Sequence, residues 1–488
     1  MLCFANTAIA QQGLSIEEGP VIELEEKGQL LEFFNCGKQN FGCIVARENK
    51  FTGIYTYKMY LFNKNLELIS KEELDLKRYG NRMQYETIIN IGESVYLISS
   101  YDNIKKKKKF VFAQSLHTKD LEFNNDLNMI ATFPLTNKKR NKNEKVSYKK
   151  SPDKSKIAFY LSHNVNYKKN YKLDIAVFDQ QLNLIWENKC NLSDSNKDRK
   201  LSRIINSEVK YKAESHPYDI TIGNDGQVYI NREKRPQHTE KKSYKYFLSA
   251  FTPKAIPIQS AASIDNTPSY QIVSPANKST WFTCSYLKQS PQKAEFTYML
   301  WDSTKLIQQN SLALALPVKS NNENKYQSKY LQTDFRGDFI SIGEFYSEKM
   351  QRSGATKNEQ FYYTFNDILV SRYAPETNEI KHYTIQKNQK GNYSALAYLS
   401  FSVFGFSNSI AMIYYDQNPL QSNSKVLEYA VLNENGEMSY QRMNVPNQDE
   451  LNSPLHMNEL WQYNDHSAIL YQQQKKKIKL YLIDSKEK

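Results

Sequence analysis

Seven basic residues stand out as candidates for binding chemistry: Lys138, Lys139, Arg140, Lys168, Lys169, Arg232 and Arg235. They lie in polar stretches that also hold Lys105-Lys-Lys-Lys-Lys109, Arg199 and Lys200, with Tyr167, Tyr171, Tyr211 and Tyr244 among them. Clustered ammonium and guanidinium groups attract carboxylates, sulfates and phosphates, and tyrosine rings stack on sugars. The whole chain leans the same way, with 65 Lys+Arg against 52 Asp+Glu and a formal net charge of +13. The expected partner is an envelope protein or an anionic glycan. A solvated basic surface is the plainer reading of the same charge. Nucleic acid is not expected, because no nucleic-acid-binding module is visible.

Bond-making chemistry has weaker support. No G-x-S-x-G elbow and no HExxH helix is present. Asp194-Ser-Asn-Lys-Asp198 alternates oxygen ligands as a calcium loop does. However, Arg199 stands where such a loop needs glycine, and Ile205 where it needs a bidentate Glu. His216 and Asp219 open a strand and would suit acid–base work, although a structural role is the commoner use of such a pair. The expectation is therefore no catalytic residue, no metal and no cofactor. The alternative is a carbohydrate-active or other hydrolytic enzyme, with carboxylates near Asp219, Asp334 and Asp465 lining a central channel. The cysteines Cys36, Cys43, Cys190 and Cys284 show no CxxC spacing. Cys36 and Cys43 flank a turn and read either as a cross-hairpin disulfide or as two small buried apolar groups.

The elements that would position these residues are strands. Leu61-Phe-Asn-Lys-Asn-Leu-Glu-Leu-Ile69 repeats as Val177-Phe-Asp-Gln-Gln-Leu-Asn-Leu-Ile185. In each copy a strand meets an Asn or Asp turn and then a second strand with alternating apolar residues. Looser copies turn near Thr118, Pro253, Ser303, Glu376 and Glu434, the last with an Asn435-Gly436 hairpin cue. The unit restarts at Ile478–Ile483. Helical periodicity of any length is missing. Glycine numbers only 16 of 488, so Asn, Asp and Lys must make most of the turns.

Ser151-Pro-Asp-Lys-Ser-Lys-Ile-Ala-Phe-Tyr160 resembles the repeat signature of TolB-type β-propellers, with Lys154 in place of the usual glycine. The resemblance covers one repeat and implies fold rather than function. The predicted fold is an all-β single β-propeller of four-stranded antiparallel blades, eight in number, with seven as the alternative count. Residues 11–488 form it, and a strand at Pro20–Glu25 pairs with Ile478–Ile483 to close the ring. Longer polar stretches fall between second and third strands and between one blade and the next, which emerge on one face. Such a face is where scaffolds carry binding.

Residues 1–10, ending in Ala8-Ile9-Ala10, read as the remnant of a signal peptide. The expected location is periplasmic, outer-membrane-associated or secreted. No run of about 18 apolar residues marks a spanning helix. The oligomeric state is not legible.

Overall fold

The structure is a computed structural model. It describes residues 13–486 except 25–27, 50, 79, 120, 125, 136–144, 166–169, 192–217, 235–243, 252–257, 265–271, 274–279, 289–292, 303–304, 316–324, 335, 353–358, 393–394, 421–425, 447 and 452.

Among the described residues there is no α-helix. Eight antiparallel sheets of four or more strands follow one another, spanning 29–73, 84–134, 147–191, 218–264, 272–315, 325–392, 401–443 and 461–486, and a two-stranded ribbon of Lys77–Arg78 and Asn81–Arg82 lies between the first two. The eight sheets are called first to eighth below. Each is a meander of four strands in chain order, and the second and sixth add a fifth. The eighth takes its fourth strand from the other end of the chain. Gly13–Glu23 pairs antiparallel with Lys477–Lys486, with Ile22 opposite Ile478. This strand starts earlier than the expected Pro20, and its register shifts between Glu18 and Val21.

Two-sided burial explains why these strands are so apolar. Along Asn40–Asn49, Phe41, Cys43 and Val45 enter the core shared with the eighth sheet, while Ile44 enters the core shared with the second. Alternate residues of Ile54–Asn63 divide the same way: Tyr60 and Phe62 to one side, Met59 and Leu61 to the other. A sheet sandwiched between two others reads as a nearly continuous apolar run. The same cores join second to third, third to fourth, sixth to seventh and seventh to eighth sheets. Fifth and sixth meet through Tyr298 and Tyr373, whose ring centroids are 4.2 Å apart. Fourth and fifth touch through their first strands and through their last.

The first strand of each sheet lies beside the first strand of the next at several junctions. Polar side chains tie the ends of these strands together. Asn35 N–H donates to Asn90 Oδ1 (3.1 Å) and Asn90 Nδ2 to the Asn35 carbonyl (2.7 Å). Asn35 Nδ2 reaches the Tyr463 carbonyl, and Gln462 Nε2 the Gly405 carbonyl.

The scarcity of glycine is met by left-handed backbone at other residues. Asn63 and Asp179 each open a turn whose fourth residue is a leucine with positive φ, 65° at Leu66 and 61° at Leu182. The side-chain oxygen accepts two backbone N–H groups, from Asn65 and Glu67 in one turn and from Gln181 and Asn183 in the other. Partial burial opposes ionisation of Asp179. The bonds from Asn183 and Gln181 outweigh it and hold the carboxyl below the usual carboxylate range.

Candidate functional site

The first strands of the first three sheets, Gln29–Asn35, Gln84–Ile91 and Ser147–Lys150, bring a carboxyl, hydroxyls and an amine together. Glu32 is the centre. Its carboxylate accepts from the Tyr85 hydroxyl, from Thr87 Oγ1 at 2.8 Å and from the Ile88 N–H at 3.1 Å. Burial nevertheless dominates and raises its pKa. Tyr148 and Lys150, from the third sheet, both sense the charge of Glu32. Burial, helped by Lys154, brings the Lys150 pKa down to about 8, against the pull of Glu32. Glu32 is therefore easier to protonate and Lys150 easier to deprotonate than usual.

A bulge skips Leu31 in the first of these strands, and another skips Glu86 in the second. Bulges re-aim side chains, and Glu86 is turned into the protein. Its carboxylate accepts from Ser100 Oγ (2.5 Å) and the Val146 N–H (3.0 Å) and lies 3.4 Å from Lys109 Nζ. Lys109 is fully buried and also pairs with Asp102 at 2.9 Å. This network fixes the position of Val146, and with it the strand that presents Tyr148 and Lys150.

Outward from Glu32 runs a row of tyrosines. Tyr85 stacks on Tyr57 (4.8 Å), and Tyr57 on the exposed Tyr55 (6.3 Å). The Arg82 guanidinium donates to the Tyr55 carbonyl. The arrangement sets flat aromatic faces and a cation around a carboxyl that is itself already bonded to Tyr85, Thr87 and Ile88, which suits a ring-bearing polar ligand. Among the described residues no group of His, Cys, Asp or Glu is placed to hold a metal ion.

Most of the residues expected from sequence fall elsewhere in the chain. Lys138, Lys139, Arg140, Lys168, Lys169 and Arg235 lie outside the described residues, as do His216 and Asp194–Asp198. Arg232 is on the strand Val228–Lys234 opposite Tyr218, with only its backbone described. The ends of the 136–144 segment are placed, however. Leu135 N–H donates to the Lys107 carbonyl (2.9 Å), and Val146 N–H to Glu86. Leu135 and Val146, the described residues that carry these bonds, therefore sit at the Lys105–Lys108 hairpin and at the Glu86 network.

Of the three carboxylates expected near a central channel, two share a cleft. Asp334 and Asp465 line one cleft of about 200 Å³ with Gln332, Thr333, Ser407 and Asn433. Asp334 is committed to structure, since Oδ1 accepts the Arg336 and Asp338 N–H groups (both 2.9 Å) and Oδ2 pairs with Arg372 (3.1 Å). Asp219 is described in backbone only. Cys36 and Cys43 are free, buried thiols in two different cores, so no disulfide joins them. Burial pushes the Cys36 thiol up to about 12.

Glu32, Tyr85 and Tyr148 were not among the expected residues, and Lys150 was expected only as one more charge following the Lys138–Lys142 run. One sequence signal points to the carboxyls. Glu32 interrupts the apolar run Leu30-Leu-Glu-Phe-Phe34, and Glu86 stands before Thr87-Ile-Ile89. A lone acid in such a strand is either buried with partners or misplaced.

No protein-family model matches the chain, and no curated protein sequence matches it. Solved structures show remote similarity. The β-propeller domain of the trilobed protease from Pyrococcus furiosus is 10% identical over 87% of this chain and 98% of that one, with a TM-score of 0.32. The polysaccharide lyase Uly1 is 9% identical over 84% and 93%, with a TM-score of 0.34. The acylaminoacyl peptidase of Pyrococcus horikoshii is 10% identical over 80% and 59%, with a TM-score of 0.32. Likenesses this remote assign neither an activity nor a ligand.

Proposed function

We propose that the eight sheets are the blades of one closed β-propeller, and that it acts as an exported, non-catalytic binding protein for an anionic glycan. The packing of each sheet on the next, and of the eighth on the first, supports the ring. So does the loan of Gly13–Glu23 to the eighth sheet. Connections between strands support a one-sided binding face. The first-to-second turns are as short as 92–93 and 407–408, while blade-to-blade connections run through 135–146, 192–217 and 444–460.

The observation that carries the ligand class is the tyrosine row ending at Glu32 beside Lys150. The exposed Tyr55 at the end of the row would stack on a sugar ring, and Lys150 would meet a carboxylate or sulfate. Lys138, Lys139, Arg140, Lys168, Lys169, Arg232 and Arg235 would supply the surrounding positive field. The reading Ala8-Ile9-Ala10 as a cleavage site supports export to the envelope or beyond.

Titration of the protein with an acidic polysaccharide, and with a neutral one as control, tests this. Binding is expected for the acidic polymer alone, weakening with salt. Reversing Lys138, Lys139 and Arg140 to Glu should weaken it at least about tenfold and flatten the salt dependence. Equal binding by that variant would contradict the reading. The second reading is a carbohydrate-active or other hydrolytic enzyme, favoured by the opposed pKa shifts of Glu32 and Lys150. New chain ends released from the polymer, lost in Glu32→Gln, would establish that reading instead.

A further inference from the structure

The hairpin joining the second and third strands of the first sheet has an apolar tip. Phe51 is 101% exposed, and Ile54 is 39% exposed. The turn that holds Phe51 outward is well made. Asn49 Oδ1 accepts the Phe51 and Thr52 N–H groups (3.0 and 3.2 Å), and Gly53 N–H donates to the Asn49 carbonyl (2.7 Å). Gly53 takes φ +65° with open space around it. Folding gains nothing from an aromatic ring presented this way, because the ring buries no surface within the chain.

The equivalent hairpin of the second sheet has the same character with added charge. Ile104 is 50% exposed and leads into Lys105, Lys106, Lys107 and Lys108, all exposed. This turn is also fixed, by Lys106 N–H on Asn103 Oδ1 (2.9 Å) and Lys107 N–H on the Ile104 carbonyl (3.2 Å). Both hairpins point the same way. The Asn35–Asn90 pair aligns the ends of the two leading strands, and these connections lie at the opposite end. The Tyr57–Tyr85 stack and the Arg82–Tyr55 bond tie the third strand of the first sheet, which leaves the first hairpin, to the start of the second sheet. Glu48, on the first hairpin, is an acid beside these tips, and Asp102 is tied to Lys109.

Apolar tips set beside four lysines match a surface that is anionic outside and apolar just beneath. The geometry points to peripheral docking of this face on an anionic phospholipid bilayer. Phe51 and Ile104 enter the boundary between headgroups and acyl chains, and Lys105–Lys108 meet lipid phosphates. This inference does not depend on the glycan reading, whose proposed ligand contacts do not include Phe51, Ile104 or Lys105–Lys108.

Cosedimentation of the full chain tests it, with vesicles of phosphatidylcholine alone or mixed with phosphatidylglycerol. Binding is expected to the mixed vesicles only and to fall with salt. The double variant Phe51→Ser, Ile104→Ser should bind at least about tenfold more weakly. Its thermal unfolding and its affinity for an acidic polysaccharide should be unchanged, since both side chains are exposed. Undiminished binding by the double variant would mean adsorption by charge alone and overturn the inference. So would failure of the wild-type protein to bind the mixed vesicles at low salt.

Discussion

Leu66 and Leu182 occupy the same left-handed position in two turns of different sheets, and they differ in how much they bury. Leu66 is 1% exposed and packs in the core between the eighth and first sheets, with Gly19 against it. Leu182 is only partly buried. Left-handed backbone costs a non-glycine residue about 1–2 kcal/mol, while a fully buried leucine contributes about 1.5–3 kcal/mol. The two turns therefore answer glycine differently. Leu66→Gly should lower unfolding stability by about 1–2 kcal/mol, and Leu182→Gly should stay within about 1 kcal/mol of wild type. Urea unfolding of both variants checks this, and equal losses would show that the turn backbone rather than burial decides the outcome.

Glu344 joins the sixth and seventh sheets from inside. It is fully buried, 2.6 Å from Lys387 Nζ and 3.1 Å from Lys329 Nζ, and it accepts from Ser400. Ser400 is buried with φ 82°, and its N–H donates to Gln389 Oε1 at 2.5 Å. Removing the charge leaves two lysines facing each other without their anion. Glu344→Gln should cost about 3–5 kcal/mol. Burial alone would raise the Glu344 pKa, but the lysines outweigh it and hold the carboxyl below its ordinary value. The stability it confers is present above the ordinary carboxylate pKa and is lost as pH falls through the lower folded value. Stability of the wild type, but much less that of Glu344→Gln, should fall across that acid range.

Lys150 gives the proposed ligand site a pH signature. Its pKa of about 8 lies below the ordinary lysine value, so the charge that would hold an anionic ligand disappears as pH rises through about 8. Affinity for an acidic polysaccharide should drop across that range. Lys150→Arg keeps its charge and should abolish the drop. An identical pH profile in both proteins would remove Lys150 from the site.

Much of the fold was legible because alternation of apolar residues and Asn or Asp turns is local information. The Leu61–Ile69 and Val177–Ile185 copies mark the same hairpin in the first and third sheets. Strands were harder to bound where they are polar. The second and third strands of the third sheet reach Val165 and start at Asn170, through a stretch that reads as loop. In the sixth sheet the paired strands likewise continue to Arg352 and resume at Glu359. The pairing of Cys36 with Cys43 was open from spacing alone. Register decides it, since Cys43 faces Phe33 and Cys36 lies beyond the paired run. The Glu32 cluster was not legible, because its members come from three sheets and only their packing puts Lys150 near Glu32.

Hydrogen exchange on the intact protein tests most directly whether the two chain ends lock into one sheet, on which the ring and its one-sided face depend. The Gly13–Glu23 amides paired with Lys477–Lys486 should exchange as slowly as those of Ser467–Gln474, through global unfolding. Complete exchange of 13–23 within seconds, with 467–474 still protected, would show a frayed end and contradict the closed propeller.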